Sequence, residues 1–198
     1  MAFFRAGRQH QERLMLAANR IGKTEGIGGY EVTLHVTGLY PDWWEGRRFA
    51  RATKWWVAGA TKETTRDIVQ AKLLGAWGDF GTGLIPGDCI GKWRPQRGIA
   101  EAVDTIRVRH VSGGYSLIGF KAYEQGRKAF EGTEKDGIWF DEEPPLDVYG
   151  EAVIRTASTV PGQEGGLVIC TFTPLQGMSQ TVLYFLPEGI DELEEQGA

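Results

Sequence analysis

The stretch Arg13-Leu-Met-Leu-Ala-Ala-Asn-Arg-Ile-Gly-Lys-Thr24 decides the fold. Its first half, Arg13 to Ala18, is a short apolar run, the signature of a strand buried on both faces and therefore of a parallel sheet. Its second half, Ala17-Ala18-Asn19-Arg20-Ile21-Gly22-Lys23-Thr24, follows the phosphate-binding pattern G-x-x-x-x-G-K-[ST] with Ala17 in place of the first glycine. The chemistry explains the residue types. Successive backbone N–H groups at a helix start wrap a phosphate, Gly22 allows their approach, and Lys23 neutralises the β and γ oxygens. Thr24 supplies a hydroxyl to Mg²⁺. A bare Gly-Lys-Thr is also an ordinary turn, but here a buried strand leads in and a helix, Glu25 to Val36, leads out. That helix carries Gly26, Gly28 and Gly29, each costing about 1 kcal/mol relative to alanine. The cost makes sense if the helix packs very closely against the sheet or a ligand.

Further along, Ile138-Trp139-Phe140 is an apolar strand ending in Asp141-Glu142-Glu143-Pro144-Pro145. On a strand neighbouring the first, Asp141 would hold the hydration shell of Mg²⁺. Glu142 would then orient the attacking water and accept its proton. Glu143 is supporting, because two adjacent carboxylates cannot occupy one catalytic position. Alone, this segment also reads as a solvated acidic turn; beside a phosphate loop it reads as the second half of a site for ATP and Mg²⁺.

The rest of the chain alternates in the same way. Lys54 to Gly59 is a second strand, and Thr64-x-x-Asp67 is a capping box that opens a helix to about Trp77. Residues 78–98 form a Gly/Pro-rich connection. Residues 105–111 and 115–120 make a hairpin across Ser112-Gly-Gly114. Leu146 to Ala157 repeats apolar residues on one helical face, and Gly166 to Phe172 is a last buried strand. The expected fold is α/β, with a largely parallel central sheet, helices on both faces and an antiparallel hairpin addition. It occupies residues 1–186, followed over 187–198 by an acidic tail or the start of a linker to a further domain.

Composition narrows the function. The 198 residues suit one domain, with 41% hydrophobic and 24% charged side chains. A net charge of −4 argues against uniform affinity for nucleic acid, though a local basic stripe is allowed. Two cysteines, Cys89 and Cys170, form neither a disulfide framework nor a zinc cluster. No apolar run reaches membrane-spanning length, and the N-terminus lacks a signal-peptide core. Glycine, with 28 residues, stands at about twice its usual ~7%, which points to tight turns or close backbone approaches. His10, His35 and His110 lack metal-ligand spacing. The segment Trp43-Trp44-x-x-Arg47-Arg48-x-x-Arg51-x-x-Lys54 reads either as a nucleic-acid contact or as a structural lid with buried tryptophans.

Three blocks together, Ala18-Asn-Arg-Ile-Gly-Lys-Thr24, Gly137-Ile-Trp-Phe-Asp-Glu-Glu-Pro-Pro145 and Thr171-Phe-Thr-Pro-Leu-Gln-Gly177, resemble the ATPase domain of the tailed-bacteriophage terminase large subunit. The resemblance implies a P-loop NTPase fold of the ASCE or RecA-like type, and ATP hydrolysis that powers translocation of double-stranded DNA into a procapsid. It implies double-stranded DNA, a terminase small subunit and the portal protein as partners. It also implies a homo-oligomeric ring when assembled, a monomer when isolated, and the cytoplasm of an infected bacterial host as the location. In that family the Thr171–Pro174 block is the coupling motif, so Thr171 and Thr173 would sense the γ-phosphate; polar groups at the C-terminal end of a buried strand suit that position. The resemblance gives Arg20 a role in stabilising the transferred phosphoryl charge. It makes Gln9 or Gln11 an adenine contact, and Arg127 or Arg155 a finger reaching a neighbouring subunit's nucleotide. Family members carry a nuclease domain after the ATPase; this chain stops shortly after the coupling block, so ATP hydrolysis without DNA cleavage is expected. The alternatives are a helicase-like or repair ATPase, which the absence of further helicase blocks disfavours, and a nucleotide-binding regulatory module without turnover.

Overall fold

Apolar strands alternating with amphipathic helices bury both sheet faces only between two helical layers, and the chain adopts that arrangement. The computed structural model describes residues 1–18, 22–158, 165–174 and 177–186. In chain order the elements are α1 (Ala2–Ala6), β1 (Glu12–Leu16) and α2, π-wound over Lys23–Gly29 and α-helical over Tyr30–Thr37. Next come β2 (Lys54–Gly59) and α3, continuous through Lys62–Thr64, Thr65–Gln70 and Ala71–Leu74. The strands β3 (Ile90–Pro95), β4 (Val103–Arg109), β5 (Tyr115–Ala122) and β6 (Gly137–Asp141) follow. The last elements are α4 (Leu146–Thr156), β7 (Leu167–Phe172) and α5 (Gln180–Phe185).

The sheet order is β1-β7-β6-β2-β5-β4-β3. The first five strands in that order run parallel, and β4 and β3 extend the sheet antiparallel. Parallel strands bring their C-terminal ends to one edge. The chain therefore leaves β1, β6 and β7 side by side, at Ala17, Glu142 and Thr173.

Each sheet face has its own core. On one, Val32 and Val36 of α2 and Val69 and Leu73 of α3 pack on Trp55, Val57, Ile118, Trp139 and Ile169. On the other, Val148, Tyr149 and Ala152 of α4 and Val182 of α5 pack on Ala58, Phe140, Val168 and Cys170. A buried ion pair ties β1 to α2: Arg13 donates to both oxygens of Glu31 at 3.0 and 2.7 Å, and His35 lies 3.2 Å from Glu31. Burial opposes ionisation of Glu31, but hydrogen bonds from His35 and Arg13 outweigh it and hold the carboxyl below its ordinary range. Among the described residues no helix is long and apolar enough to cross a membrane.

The structure departs from the sequence reading in three places. First, β1 is an edge strand rather than one buried on both faces; Leu14 and Met15 are half-buried, while Leu16 is exposed. Second, residues 90–95, read as connection, form β3, an exposed edge strand held by its backbone pairing to β4. Third, α3 starts one turn earlier: the Thr61 hydroxyl accepts from the Thr64 amide at 3.1 Å, and the Thr64 hydroxyl accepts from the Thr61 amide at 3.0 Å. The helix ends at Leu74 rather than Trp77. Of the two readings of the Trp43–Lys54 segment, the structural one fits most of it. Trp44 is buried with its indole N–H donating to the Arg47 carbonyl at 2.9 Å, whereas Trp43 stays exposed and stacks on Tyr30.

Candidate active site

At the C-terminal edge of the sheet lies a cavity of about 720 Å³. Its walls are the start of α2 (Gly22 to Glu25), the end of β6 (Asp141 to Glu143), the end of β7 (Thr171 to Thr173), and Ile68 and Lys72 of α3. The turn that opens α2 depends on Gly22, whose φ of +84° is a left-handed conformation that a side chain would strain. Lys23 folds back over the start of the loop. Its ammonium donates to the carbonyls of Ala17 and Ala18 at 2.9 and 2.8 Å, and to the Thr173 hydroxyl at 2.8 Å. Thr173 in turn donates to the Ala17 carbonyl at 2.7 Å. The phosphate loop and the proposed coupling block are thus in direct contact through one lysine and one threonine.

The Thr24 hydroxyl donates to Asp141 Oδ1 at 2.8 Å, joining residues 117 positions apart in the sequence. Thr171 donates to the same oxygen at 3.0 Å and accepts from the Trp139 indole N–H at 2.8 Å. Asp141 is only 4% exposed. Burial pushes its carboxyl up to about 6, against the hydrogen bonds from Thr24 and Thr171, which pull it down; the Glu142 charge adds to the rise and Lys23 opposes it. A buried carboxylate beside a hydroxyl is a hard, all-oxygen donor pair. That suits Mg²⁺, which takes one or two protein oxygens and completes its shell with water and phosphate.

Glu142 leaves the strand in a left-handed conformation, φ +71°, unusual for a residue with a side chain. Its amide donates to the Thr171 carbonyl at 3.2 Å, and its side chain is exposed at the cavity. The Glu143 carboxylate instead accepts from the Ser179 hydroxyl, which also caps α5. At the cavity mouth Lys72 pairs with Glu25 at 2.7 Å.

Gly22, Lys23, Thr24, Asp141, Glu142, Thr171 and Thr173 therefore converge, with Ala17 and Ala18 held beside them by Lys23. Asp141 does not lie on the strand next to β1, as the sequence reading had it; β7 runs between β1 and β6, and Thr171 fills the gap. Asn19, Arg20 and Ile21 lie outside the described residues. Gln9 and Gln11 are not brought to the cavity. They line a separate hollow with Arg8, Gly165 and Leu167 at the N-terminal end of the strands, where Gln11 donates to Thr156 at 2.9 Å. The five residues of β1 separate them from the phosphate loop, about 16 Å at strand rise. Arg127 and Arg155 both bind Glu151, each through its Nε at 3.0 Å. Three contributors carry no local sequence signal: Tyr123, Trp139 through its indole N–H, and Ser179.

A phosphate-loop helix start and a strand-end aspartate on one parallel sheet, with a strand between them, define a P-loop NTPase. Comparison with known proteins narrows this further. The family model described as "Terminase large subunit, T4likevirus-type, N-terminal" matches residues 14–190, and the chain belongs to that family. The "Terminase, large subunit" of Salmonella phage P22 is 37% identical over 204 residues; the match covers 93% of this chain and 40% of that protein. Two solved structures share the fold. The large terminase of a thermophilic bacteriophage has a TM-score of 0.60 at 14% identity, covering 95% of this chain and 39% of its own. The large terminase ATPase domain of Thermus phage P74-26 has a TM-score of 0.57 at 16% identity, covering 92% and 69%. The chain thus spans about two-fifths of the length of the P22 protein.

Proposed function

We propose that this chain hydrolyses ATP as the ATPase module of a phage DNA-packaging motor. One observation carries the reading: the Thr24 hydroxyl and the buried Asp141 carboxylate, far apart in sequence, meet at 2.8 Å on the floor of the cavity. The thermophilic-phage relative has also been solved in complex with ADP, which supports a nucleotide as the ligand.

In this reading the amides after Gly22 receive the β-phosphate at the start of α2. Lys23 exchanges its carbonyl partners for phosphate oxygens. Thr24 and Asp141 would hold Mg²⁺, which supplies charge neutralisation at the β and γ oxygens. Glu142 orients a water for in-line attack and takes its proton. Because Lys23 and Thr173 share a hydrogen bond, movement of the lysine onto a phosphate takes one partner from Thr173, which keeps its bond to the Ala17 carbonyl. This gives the 171–174 block a physical means of sensing the ligand. Arg20 would add charge at the transferred phosphoryl group. Double-stranded DNA, a small subunit and a procapsid portal are the proposed partners, in a ring inside the infected bacterial cytoplasm.

The test is phosphate release from Mg·ATP by the isolated chain, then with duplex DNA and with procapsids bearing the portal. A low basal rate is expected, because a finger from a neighbour contributes about 10³–10⁵ in rate where it acts. Stimulation by DNA or procapsid supports the packaging role; a rate indifferent to both contradicts it.

A further inference from the structure

We infer that Tyr123 is a positioning residue for ATP hydrolysis, holding the backbone that aims Glu142; the inference rests on the reading of Glu142 as the base. Tyr123 is the first residue after β5, on the far side of β2 from β6. Its ring runs beneath the strand at Ala58 and packs on Phe140, with ring centroids 5.8 Å apart. Its buried hydroxyl ends 2.8 Å from the Asp141 carbonyl and 2.9 Å from the Glu142 carbonyl, with Ala58 at 3.3 Å.

Two successive carbonyls of an extended strand point to opposite sides. They face one phenol here only because Glu142 turns into the left-handed region, at φ +71°. That conformation is costly for a residue with a β-carbon and persists only where its surroundings enforce it. The enforcement is visible from both sides. The Glu142 amide is taken by the Thr171 carbonyl, and the carbonyls on either side of the turn share the single phenolic proton of Tyr123. The next two residues are anchored as well: the Glu143 carboxylate accepts from Ser179, and the Pro144 carbonyl accepts from Thr181 at 2.9 Å. Among these side chains, Tyr123 is the one that bonds to the carbonyls flanking Glu142 itself, and it lies outside the cavity lining.

Tyr123→Phe deletes one oxygen and keeps every carbon of the packed ring, so the experiment is a double-mutant cycle of Tyr123→Phe with Glu142→Gln. Steady-state turnover and equilibrium binding of a fluorescent ATP analogue are both measured. Tyr123→Phe is expected to lower kcat by about tenfold to a hundredfold through misaligned attack, with analogue affinity changed by no more than about twofold. In the Glu142→Gln background the same substitution should have no further effect on the residual rate, because the phenol acts through that carboxylate. A merely structural tyrosine would weaken binding, or lower the rate by the same factor in both backgrounds; either result overturns the inference. A parental kcat in Tyr123→Phe beside an inactive Glu142→Gln overturns the inference alone. A parental rate in Glu142→Gln overturns the base reading and the inference with it.

Discussion

Replacing Gly28 by alanine sets two effects of opposite sign against each other. Helix propensity favours the change by about 1 kcal/mol, since alanine restricts the unfolded chain. Packing opposes it. A β-carbon at Gly28 would lie 2.1 Å from Trp139 Nε1 and 2.2 Å from its Cε2, so the indole must retreat by about 1 Å or more to restore van der Waals contact. Overpacking of this kind costs about 1–3 kcal/mol. The retreat also breaks the 2.8 Å bond from Trp139 to Thr171 and leaves a buried N–H unpaired, at about 1–3 kcal/mol. Sterics win, and a net loss of about 2–3 kcal/mol is expected. Because Thr171 also donates to Asp141, ATP turnover should fall as well. Gly26 in the same helical stretch is the control: a β-carbon there meets nothing within 4 Å, so Gly26→Ala should gain up to about 1 kcal/mol. Urea unfolding of both variants decides the matter. A Gly28→Ala protein as stable as its parent, or a Gly26→Ala protein destabilised alongside it, would refute the packing argument.

Further expectations follow from the charged groups. Folding raises the Asp141 carboxyl from its ordinary 3.8 to about 6, so its contribution to stability is fully present below 3.8 and is lost as pH rises through 6. At about 1.4 kcal/mol per pKa unit the loss is about 3 kcal/mol. Asp141→Asn, compared with the parent by urea unfolding in EDTA without nucleotide, should therefore be more stable at pH 8 and equal near pH 4. A difference independent of pH would contradict this. Arg155→Ala should cost more than Arg127→Ala, because Arg155 is 27% exposed and Arg127 57% exposed in their pairs with the buried Glu151. An exposed partner adds at most about 1 kcal/mol, and the same unfolding measurement reads both variants; the reverse order would contradict the assignment.

The sequence was legible where a residue's environment is dictated locally. The apolar runs of β2, β6 and β7 mark buried strands because parallel strands are covered on both faces. The Gly-Lys-Thr turn and the strand-end carboxylates mark the cavity because phosphate and metal chemistry restricts the residue types. Gly28 was legible as a close approach, although its partner Trp139 was not. What escaped depends on non-local partners or on backbone pairing. The strand β3, Ile90-Gly-Lys-Trp-Arg-Pro95, carries an exposed glycine-containing pattern and is held by its ladder to β4. Thr61 was hidden as a helix cap because Thr64-x-x-Asp67 fits the same pattern one turn later. Tyr123 lies 18 residues from Asp141, and nothing around it in the sequence distinguishes it from an ordinary core aromatic. The role of β7 as the strand between the two halves of the site follows from sheet order, which no local pattern encodes.

The central claim is that Glu142 supplies the base while Lys23, Thr24 and Asp141 hold the nucleotide. Its most direct test measures ATP binding and phosphate release side by side for Glu142→Gln, a substitution that keeps shape and removes the proton acceptor. The account predicts binding within about twofold of the parent and turnover reduced by about 10²-fold or more. Turnover at the parental rate, or a loss of turnover explained entirely by lost binding, would contradict it.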